Sequence, residues 1–391
     1  MEAFFRTHAY LVEHTDLPVR RALMDEIDWH APLIGIKGTR GVGKTSFLLQ
    51  YAKENFDVRS HKCLYINMNN FYFQGRGLAD FAREFHEAGG EVLLIDQVFK
   101  QPEWSKELRR CHDENPGLRI VFTGSSVMRL KEENPELNGL VQSYNLRGFS
   151  FREFLNLKTG NDFPAYSLSE IISRHEQIAN DVLQKVNPLN FFPSYLHHGF
   201  YPFFLEQRNF SENLLKTMNM MLEVDILLIK QIELKYLPRL KKLFYLLAVE
   251  RPSAPNVSQL ALDIDTSRAT VMNYIKYLSD ARLINMVYHP GDEFPKKPAR
   301  ILMHNSNLMY AIYPNHMEEI DVFETFFQNA LWAYHDVRIG DRHAHFLVDG
   351  QRFSICKGEP RRHNSEGIYA RADAQRGSSN TIPLWLFGFL Y

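Results

Sequence analysis

The chain has 391 residues, which at about 150 residues per domain corresponds to two or three domains. Hydrophobic residues make up 45% and charged residues 23%, ordinary values that exclude a largely disordered, collagenous or coiled-coil protein. Lysine and arginine together number 45, against 46 aspartates and glutamates. Nucleic acid or an anionic membrane could therefore be attracted only by a local positive patch.

Short apolar runs alternate with helical patterns over the first 150 residues, after a helical arm at residues 1–30. The runs VLLI and IVF are nearly continuous, as expected for strands that are buried on both faces. This alternation predicts an α/β fold with a parallel sheet and helices on both of its faces. The predicted strands are residues 33–37, 63–68, 91–96 and 118–124, and the helices between them are SFLLQYAKENF, LADFAREFHEAGG and WSKELRRCHDEN.

Two helical segments follow the predicted sheet. Residues 156–237 are rich in aromatic residues and space their apolar residues at a helical period, which predicts a helical extension. Residues 238–300 contain a short helix at 258–262, a turn, and a second helix that begins at Thr266 or Ser267. The strand-like LINMVYH comes next, so this segment predicts a helix-turn-helix with a wing, that is, a winged helix.

The last segment, residues 301–391, again has an α/β pattern. Asp349 and Gly350 separate two runs of alternating hydrophobicity, which predicts a hairpin with a two-residue turn. Residues 357–379 are polar, and we expect them to form a poorly ordered loop. The sequence therefore predicts a small α/β domain at this end of the chain.

The cellular location is predicted from three features. Cys63, Cys111 and Cys356 are widely separated, with no C-x-x-C, which fits a reducing compartment and argues against a disulfide framework or a zinc knuckle. The first residues, MEAFFRTHAYLVEHTD, carry charges within the apolar stretch, so we expect no signal peptide. No apolar run approaches the ~18 residues of a membrane span. We expect a cytoplasmic protein without a membrane partner.

A glycine-rich motif, GTRGVGKT, connects the first predicted strand to the next helix. This pattern is typical of a phosphate loop, in which glycines let backbone N–H groups surround the β-phosphate and the helix N-terminus adds positive potential. Lys44 would contact the β- and γ-phosphates, and the Thr45 hydroxyl would bind Mg²⁺. The predicted nucleotide-binding residues are Gly38, Thr39, Arg40, Gly41, Val42, Gly43, Lys44, Thr45 and Ser46.

A second motif, EVLLID, ends at Asp96. A carboxylate at the end of a buried strand beside a phosphate loop is the arrangement that Mg²⁺ coordination requires in phosphate-loop enzymes. We therefore predict that Asp96 and Thr45 form the Mg²⁺ site. The following strand ends in FTGSS, where the hydroxyls of Thr123 and Ser125 could sense the γ-phosphate. The alternative is that they are ordinary polar residues at a strand end.

The sequence resembles the bacterial and archaeal AAA-type ATPases that carry a C-terminal PD-(D/E)xK-nuclease-like domain. The resemblance covers nearly the whole chain and depends on GTRGVGKTSF, LLIDQVFKQPEWSKEL, LRIVFTGSS, LRGFSFREFL, HGFYPFFLE, SRATVMNYIKYLSDARLI and IPLWLFGFLY. It implies an ATPase core at residues 31–155 with ATP and Mg²⁺ as cofactors. It also implies that a helical extension, a winged helix and a degenerate nuclease-like tail follow this core.

The sequence departs from this family around the nucleotide site. Gln97 occupies the position of the usual catalytic glutamate, and the segment ELNGLVQSYNL lacks the arginine that is usual there. Asparagines replace an acidic pair after the second strand, and a serine replaces the carboxylate expected after the C-terminal hairpin. The three losses around the nucleotide site predict weak or absent hydrolysis. The departing positions are Asn69, Asn70, Gln97, Gly139, Leu140 and Ser354.

The predicted winged helix has a modest positive charge. Residues 238–300 contain ten lysines and arginines against six acidic residues, a net charge of +4. If this element binds DNA, its second helix would enter the major groove with Arg268, Asn273 and Lys276 pointing outward. The alternative is a winged helix that serves packing or protein contacts, and the sequence favours neither interpretation.

The function that these observations favour is Mg-ATP binding with slow hydrolysis, in which the nucleotide state sets the arrangement of the C-terminal domains. A competent ATPase motor and a nucleotide-gated DNA-binding switch are the alternatives. Cleavage of DNA by the tail ranks last, since Asp349 has only Ser354 where a second carboxylate is needed. A second copy of the chain or another protein is a further candidate partner.

Overall fold

The structure, a computed structural model, describes residues 1–15, 18–128, 134–206, 209–314, 317–359 and 367–391. The chain divides into two compact units, residues 1–148 and 149–391. The first unit contains the glycine-rich motif, and the second contains the predicted helix-turn-helix and the C-terminal hairpin.

Five parallel strands form the sheet of the first unit: β1 (Leu33–Gly38), β2 (Cys63–Asn67), β3 (Val92–Asp96), β4 (Arg119–Ser125) and β5 (Gln142–Asn145). Their order across the sheet is β2-β3-β4-β1-β5. Strand β3 is buried along its whole length, and β4 is buried beyond its first residue. This burial explains the continuous apolar runs, and the predicted parallel α/β fold is confirmed.

Strand β5 lies at one edge of the sheet, where the sequence pattern did not predict a strand. Its sequence is QSYN, and its residues are exposed or half-buried. It pairs with residues 34–37 of β1. An edge strand without an apolar face has no hydropathy signal, which is why the prediction missed it.

The described residues of this unit also form the helices α1 (Glu2–Glu13), α2 (Leu23–Glu26), α3 (Lys44–Asn55), α4 (Leu78–Glu87) and α5 (Trp104–Glu114). The predicted arm at residues 1–30 therefore contains two separate helices. Helix α1 lies along the other edge strand, β2, where Nδ1 of the buried His8 accepts the Tyr65 backbone N–H at 3.1 Å. The helix thus covers an edge whose N–H groups would otherwise be open to pairing.

Six helices begin the second unit: α6 (Phe151–Thr159), α7 (Leu168–Leu183), α8 (Phe192–His198), α9 (Phe210–Met220), α10 (Leu227–Ile229) and α11 (Leu237–Val249). A π-helical turn, Met221–Ile226, joins α9 to α10. Helices α6 and α7 both begin with a capping box, in which a serine and a glutamate satisfy the free N–H groups of the first turn. These helices account for the aromatic, helical pattern of the sequence.

The helix-turn-helix segment follows with α12 (Val257–Asp263) and α13 (Arg268–Asp280), and then with β6 (Ile284–Val287) and β7 (Arg300–Met303). Ser267 is the N-cap of α13, and its hydroxyl accepts the Thr270 N–H at 3.1 Å. Strands β6 and β7 pair in antiparallel orientation. The apolar positions Val271, Ile275 and Leu278 of α13 are buried, so the predicted apolar face of this helix is its packing face.

The C-terminal segment contains α14 (Ser306–Ile312), α15 (Glu319–Leu331) and the strands β8 (Val337–Ile339), β9 (Phe346–Val348), β10 (Gln351–Cys356), β11 (Ile368–Arg371) and β12 (Thr381–Pro383). The strands form one sheet in the order β12-β11-β10-β9-β8. Pairing is antiparallel from β8 to β10 and parallel from β10 to β12. The Phe327 ring of α15 packs against the rings of Phe353 and Phe387, at centroid distances of 5.3 and 4.8 Å.

The structure contains the predicted hairpin and corrects the predicted loop. Asp349 and Gly350 join β9 to β10 with φ angles of 49° and 83°, and positive φ at both positions is what a type I′ turn requires. Residues 360–366 of the expected loop lie outside the described residues. Strand β11 falls within the same range, and its Ala370 is fully buried. The prediction was wrong there because a four-residue strand between polar segments gives little apolar signal.

Candidate nucleotide site

The glycine-rich loop, residues 38–45, lies between β1 and α3 at the carboxyl edge of the parallel sheet. Gly41 and Gly43 have φ angles of 86° and 93°, which residues with side chains rarely adopt. A Cβ atom on Gly38 would lie 2.4 Å from the Leu146 carbonyl oxygen, so this position is too close to β5 for any side chain. Steric constraints therefore explain why each of these three positions of the motif is a glycine.

The remaining residues of the loop have distinct environments. Lys44 is half-buried, and its Nζ donates to the carbonyl oxygens of Gly38 at 2.7 Å and Thr39 at 2.9 Å. The ammonium thus lies over the loop itself. Thr39 and Val42 are buried, whereas Arg40 and Ser46 are half-buried and Thr45 is exposed.

Asp96, at the end of β3, is the acidic centre of the site, and its side chain is only 1% exposed. Its Oδ2 accepts hydrogen bonds from the Thr45 hydroxyl at 2.7 Å, the Tyr65 hydroxyl at 2.9 Å and the Asn67 amide at 3.3 Å. Its Oδ1 accepts one from the Thr123 hydroxyl. Four donors from three elements therefore hold a buried carboxylate next to the glycine-rich loop. The adjacent hydroxyl and carboxylate oxygens are ligands that suit Mg²⁺.

Gln97 follows Asp96 in a left-handed conformation, with φ of 57°. This conformation lets its backbone N–H donate to the Thr123 hydroxyl at 2.9 Å, and that hydroxyl in turn donates to Asp96. Thr123 therefore fixes the backbone at the end of β3. Ser125 is buried, and its hydroxyl accepts the Val127 N–H at 3.4 Å, within the turn that follows β4. The hydroxyls of Thr123 and Ser125, both predicted as candidates to sense the γ-phosphate, thus have different hydrogen-bond partners.

Two residues of the site were missed by the sequence analysis, Tyr65 and Asn67 on β2. They are two positions apart, so their side chains share one face of the strand, and Asn67 is the register partner of Asp96. Burial, followed by the nearby charge of Asp96, raises the pKa of the Tyr65 hydroxyl, so the phenol stays protonated as a donor. The alternation of side chains along β2, which puts Tyr65 and Asn67 on the same face, was the sequence signal that could have identified them.

Asn69 and Asn70, the positions where the family usually has an acidic pair, belong to the turn that follows β2. The Asn69 N–H donates to the Asn67 side-chain oxygen at 2.9 Å, and the Asn70 side chain accepts the Tyr72 N–H at 3.0 Å. Both asparagines are exposed. Their hydrogen bonds therefore stabilise the local turn.

The three DNA-binding candidates on α13 do not share one environment. Arg268 and Asn273 are exposed. The side chain of Lys276 is only 21% exposed, and its Nζ pairs with Asp280 one turn later. The prediction that Lys276 points outward was wrong, because an acidic residue four positions on holds it against the protein.

The net charge of +4 over residues 238–300 is offset by carboxylates from outside this range. Arg251 pairs with Asp321 at 3.0 Å, and Arg300 pairs with the buried Glu324 at 2.6 Å. Lys241 pairs with Glu223. From outside the range, Lys230 also pairs with Asp280 at 3.9 Å, so three added negative charges and one added positive charge reduce the net charge from +4 to +2.

The described residues around the C-terminal hairpin do not bring carboxylates together as a metal-dependent nuclease requires. Asp349 accepts a hydrogen bond from its neighbour His335 at 2.6 Å and from the Asp336 N–H at 2.9 Å, and the Ser354 hydroxyl donates to the His343 carbonyl at 3.1 Å. Within the described residues, no group of three or more His, Cys, Asp or Glu side chains is placed to hold a metal ion. In the same part of the chain, no helix is long and apolar enough to cross a membrane.

Comparison with known families indicates which kind of domain the first unit contains. Residues 30–155 match a family model described as an AAA domain (AAA_14), and residues 190–303 match a domain of unknown function (DUF8612). The first match contains the glycine-rich loop, Asp96 and Thr123. The chain therefore contains an AAA-type P-loop domain, which supports nucleotide binding.

Two relatives come from Methanocaldococcus jannaschii, the uncharacterized proteins MJ1637 and MJ1544. Each is 25% identical to the chain, over 273 and 260 residues, and the alignments cover 66% and 64% of it. They cover 57% and 55% of the relatives, so the chain spans little more than half the length of the proteins it matches.

Three solved structures are similar to parts of the chain. Aeropyrum pernix ORC1 in complex with DNA is 13% identical, with 80% of this chain and 92% of that chain covered. C. elegans PCH-2 is 17% identical, with 39% and 43% covered. The E. coli MS115-1 HORMA:CdnC:Trip13 complex is 16% identical, with 40% and 60% covered. Their TM-scores of 0.31, 0.24 and 0.27 are too low to carry an argument about function.

Proposed function

Because residues 30–155 match an AAA domain, we propose that this protein binds Mg-ATP in the glycine-rich loop and hydrolyses it slowly. The observation that carries the proposal is the 2.7 Å hydrogen bond between the Thr45 hydroxyl and Asp96, beside the left-handed glycines of the loop. In this proposal the loop backbone would bind phosphate, and the two adjacent oxygens would be ligands for Mg²⁺.

The residues of the site have separate tasks in binding. The N–H groups of the loop and the first turn of α3 would donate to phosphate oxygens, and the helix N-terminus adds positive potential. Lys44 would leave the carbonyl oxygens of Gly38 and Thr39 and pair with the β- and γ-phosphates. Bound Mg²⁺ would supply charge stabilisation for the phosphates, and Thr45 and Asp96 would hold it.

Slow hydrolysis follows from Gln97. A side-chain amide can orient a water molecule but cannot remove its proton at neutral pH, and loss of general-base assistance typically costs ~10²- to 10⁴-fold in rate. Some GTPases use a glutamine with an arginine that stabilises the transition state. Here Gly139 has φ of 73°, a conformation that favours glycine over the arginine usual in this segment.

The test of this proposal combines binding with turnover. Calorimetric titration of ATP should show tight binding with Mg²⁺ and weaker binding with EDTA. Single-turnover assays should then show that most of the bound ATP persists on the timescale of minutes. No measurable binding in either buffer would overturn the proposal, and rapid turnover would favour the competent-ATPase alternative.

We also propose that the protein is cytoplasmic and that nucleotide occupancy changes its second unit. In this proposal residues 156–237 are a helical extension, residues 238–300 a winged helix and residues 301–391 a degenerate nuclease-like domain. The matched domain at residues 190–303 spans the boundary between the first two. The unpaired thiols of the three cysteines agree with a reducing compartment.

DNA binding is a second candidate function for the helix-turn-helix, and the exposure of Arg268 and Asn273 on α13 favours it. Since about half of the local excess positive charge is compensated, any binding should be weak and should fall steeply with salt. Arg268→Ala should weaken binding in a gel-shift assay, whereas Lys276→Ala should change it little. No shift at low salt would favour a protein-contact role for this element.

A further inference from the structure

Arg21, between α1 and the sheet, connects the glycine-rich loop to the end of the first unit. Its side chain is buried. Its Nη1 donates to the Val42 carbonyl at 3.3 Å, and its Nη2 donates to the carbonyl oxygens of Arg147 at 2.8 Å and Gly148 at 3.1 Å. One guanidinium therefore binds the loop and the last two residues of the unit.

A second contact joins the same two segments. We call residues 145–148, which begin at the last residue of β5 and precede the second unit, the exit segment. The Leu146 N–H donates to the Lys37 carbonyl at 2.8 Å, and the Leu146 carbonyl oxygen is the atom that excludes a side chain at Gly38. The exit segment thus contacts the start of the loop directly and its middle through Arg21.

We propose that Arg21 is a positioning residue that couples the glycine-rich loop to the exit segment, so that nucleotide binding orders residues 145–148. This inference rests on the proposed binding of nucleotide to the loop. The second unit begins at Phe149, the residue that follows the exit segment. If nucleotide binding makes residues 145–148 more rigid, it therefore changes the chain directly before that unit.

The planarity of the peptide bond explains how the coupling works. In a trans peptide the C=O of one residue and the N–H of the next point in opposite directions. When Arg21 holds the Val42 carbonyl, it fixes the direction of the Gly43 N–H, one of the groups proposed to donate to phosphate. A phosphate oxygen on that N–H would hold the same peptide plane from its other side. The loop, Arg21 and the exit segment would then become ordered together.

A guanidinium suits this role because its donors form a planar fork that bonds to several acceptors at once. The neighbouring Arg20 offers a matched control. Its side chain is 46% exposed and pairs with Asp25 at 2.6 Å and Glu54 at 3.1 Å. Arg20→Met therefore removes a cation from the adjacent position without removing a bond to the loop.

Hydrogen–deuterium exchange of the full chain, with and without saturating MgADP, tests the proposal. In the wild type and in Arg20→Met, MgADP should slow exchange in peptides that cover 38–46 and 144–148. In Arg21→Met, MgADP should bind roughly tenfold more weakly, because one charged hydrogen-bond donor is lost. At saturation it should slow exchange in 38–46 alone.

Equal protection of residues 144–148 in the wild type and in Arg21→Met would overturn the coupling, as would a wild type in which only the loop is protected. If Arg21→Met is unfolded in a thermal melt, Arg21→Lys replaces it, since a single ammonium cannot span all three carbonyl oxygens. Full protection of 144–148 in folded Arg21→Lys would equally overturn the coupling. Absence of calorimetric binding in the wild type would overturn the nucleotide proposal itself and, with it, this inference.

Discussion

The same three kinds of polar side chain lie around the sheet of the first unit and around the C-terminal sheet of the second unit. Each sheet has nearby a lysine at a strand or loop end, a carboxylate at or directly after the end of a strand, and a histidine whose Nδ1 accepts a backbone N–H. The pairs are Lys44 and Lys357, Asp96 and Asp349, and His8 and His345.

The two members of each pair differ in burial and in their partners. Asp96 is 1% exposed and accepts four side-chain donors, whereas the Asp349 side chain is 51% exposed and bonds to His335 and the Asp336 N–H before β8. Lys44 lies over a glycine-rich loop, whereas Lys357 pairs with Glu319. Residue type at a strand end is thus a weak indicator of function, and convergence of several elements is a strong one.

The largest difference in Mg-ATP affinity should be that between variants of the two lysines. Lys44→Ala removes the ammonium beside the loop and should weaken Mg-ATP binding by roughly 100-fold or more, because phosphate charge is left without its charged partner. Lys357→Ala should leave binding unchanged. Calorimetry measures both, and equal affinity in Lys44→Ala and the wild type would disprove the assignment of the loop.

The two histidines should differ in their effect on stability at acid pH. Burial, and then the charge of His61, lowers the pKa of His8 from 6.5 to about 4. The unfolded chain therefore binds more protons than the folded chain between these values, and the free energy of unfolding falls by about 3 kcal/mol as pH drops through this window. Above about pH 6.5 the stabilisation is fully present.

His8→Asn keeps an acceptor for the Tyr65 N–H without a titrating group, so it should flatten the pH dependence of urea unfolding. Burial also lowers the pKa of His345, but this side chain is 40% exposed. His345→Asn should therefore change the pH dependence of the free energy of unfolding less than His8→Asn does. Equal slopes in His8→Asn and the wild type would show that His8 is not buried in its neutral form.

The two carboxylates should differ in their effect on metal dependence. Asp96→Asn keeps the shape of the side chain but removes its charge, and it should raise the Mg²⁺ concentration needed for ATP binding by about 10- to 100-fold. Asp349→Asn should not change it. Metal-dependent cleavage of plasmid DNA that disappears in Asp349→Ala would contradict the view that this second carboxylate only makes structural hydrogen bonds to His335 and Asp336.

The sequence predicted those features that depend on neighbouring residues. The apolar runs of β3 and β4, the glycine-rich loop and the Asp349-Gly350 hairpin were recognised because each has a local pattern. Strand β5 was missed because QSYN carries no apolar alternation. Lys276 was misplaced although the sequence contained the signal, since Asp280 lies four residues later on the same helix.

The missed residues of the site depend on three-dimensional register. Tyr65 and Asn67 reach Asp96 because β2 and β3 are neighbours in the sheet. The hydropathy pattern of each strand does not predict the order of the strands. Arg21 reaches Val42 and Gly148 from a segment that is distant from both along the chain. Such contacts require the folded sheet, so the sequence alone could suggest the chemistry of the site but not its full set of residues.

The central claim, a nucleotide site in which Gln97 limits hydrolysis, is tested most directly by a single-turnover ATPase assay on the wild type and Gln97→Glu. A glutamate at this position could accept a proton from the attacking water. The account predicts very slow turnover in the wild type and a rate at least several-fold higher in Gln97→Glu, with Mg-ATP affinity unchanged. Rapid hydrolysis by the wild type and no gain in Gln97→Glu would contradict it.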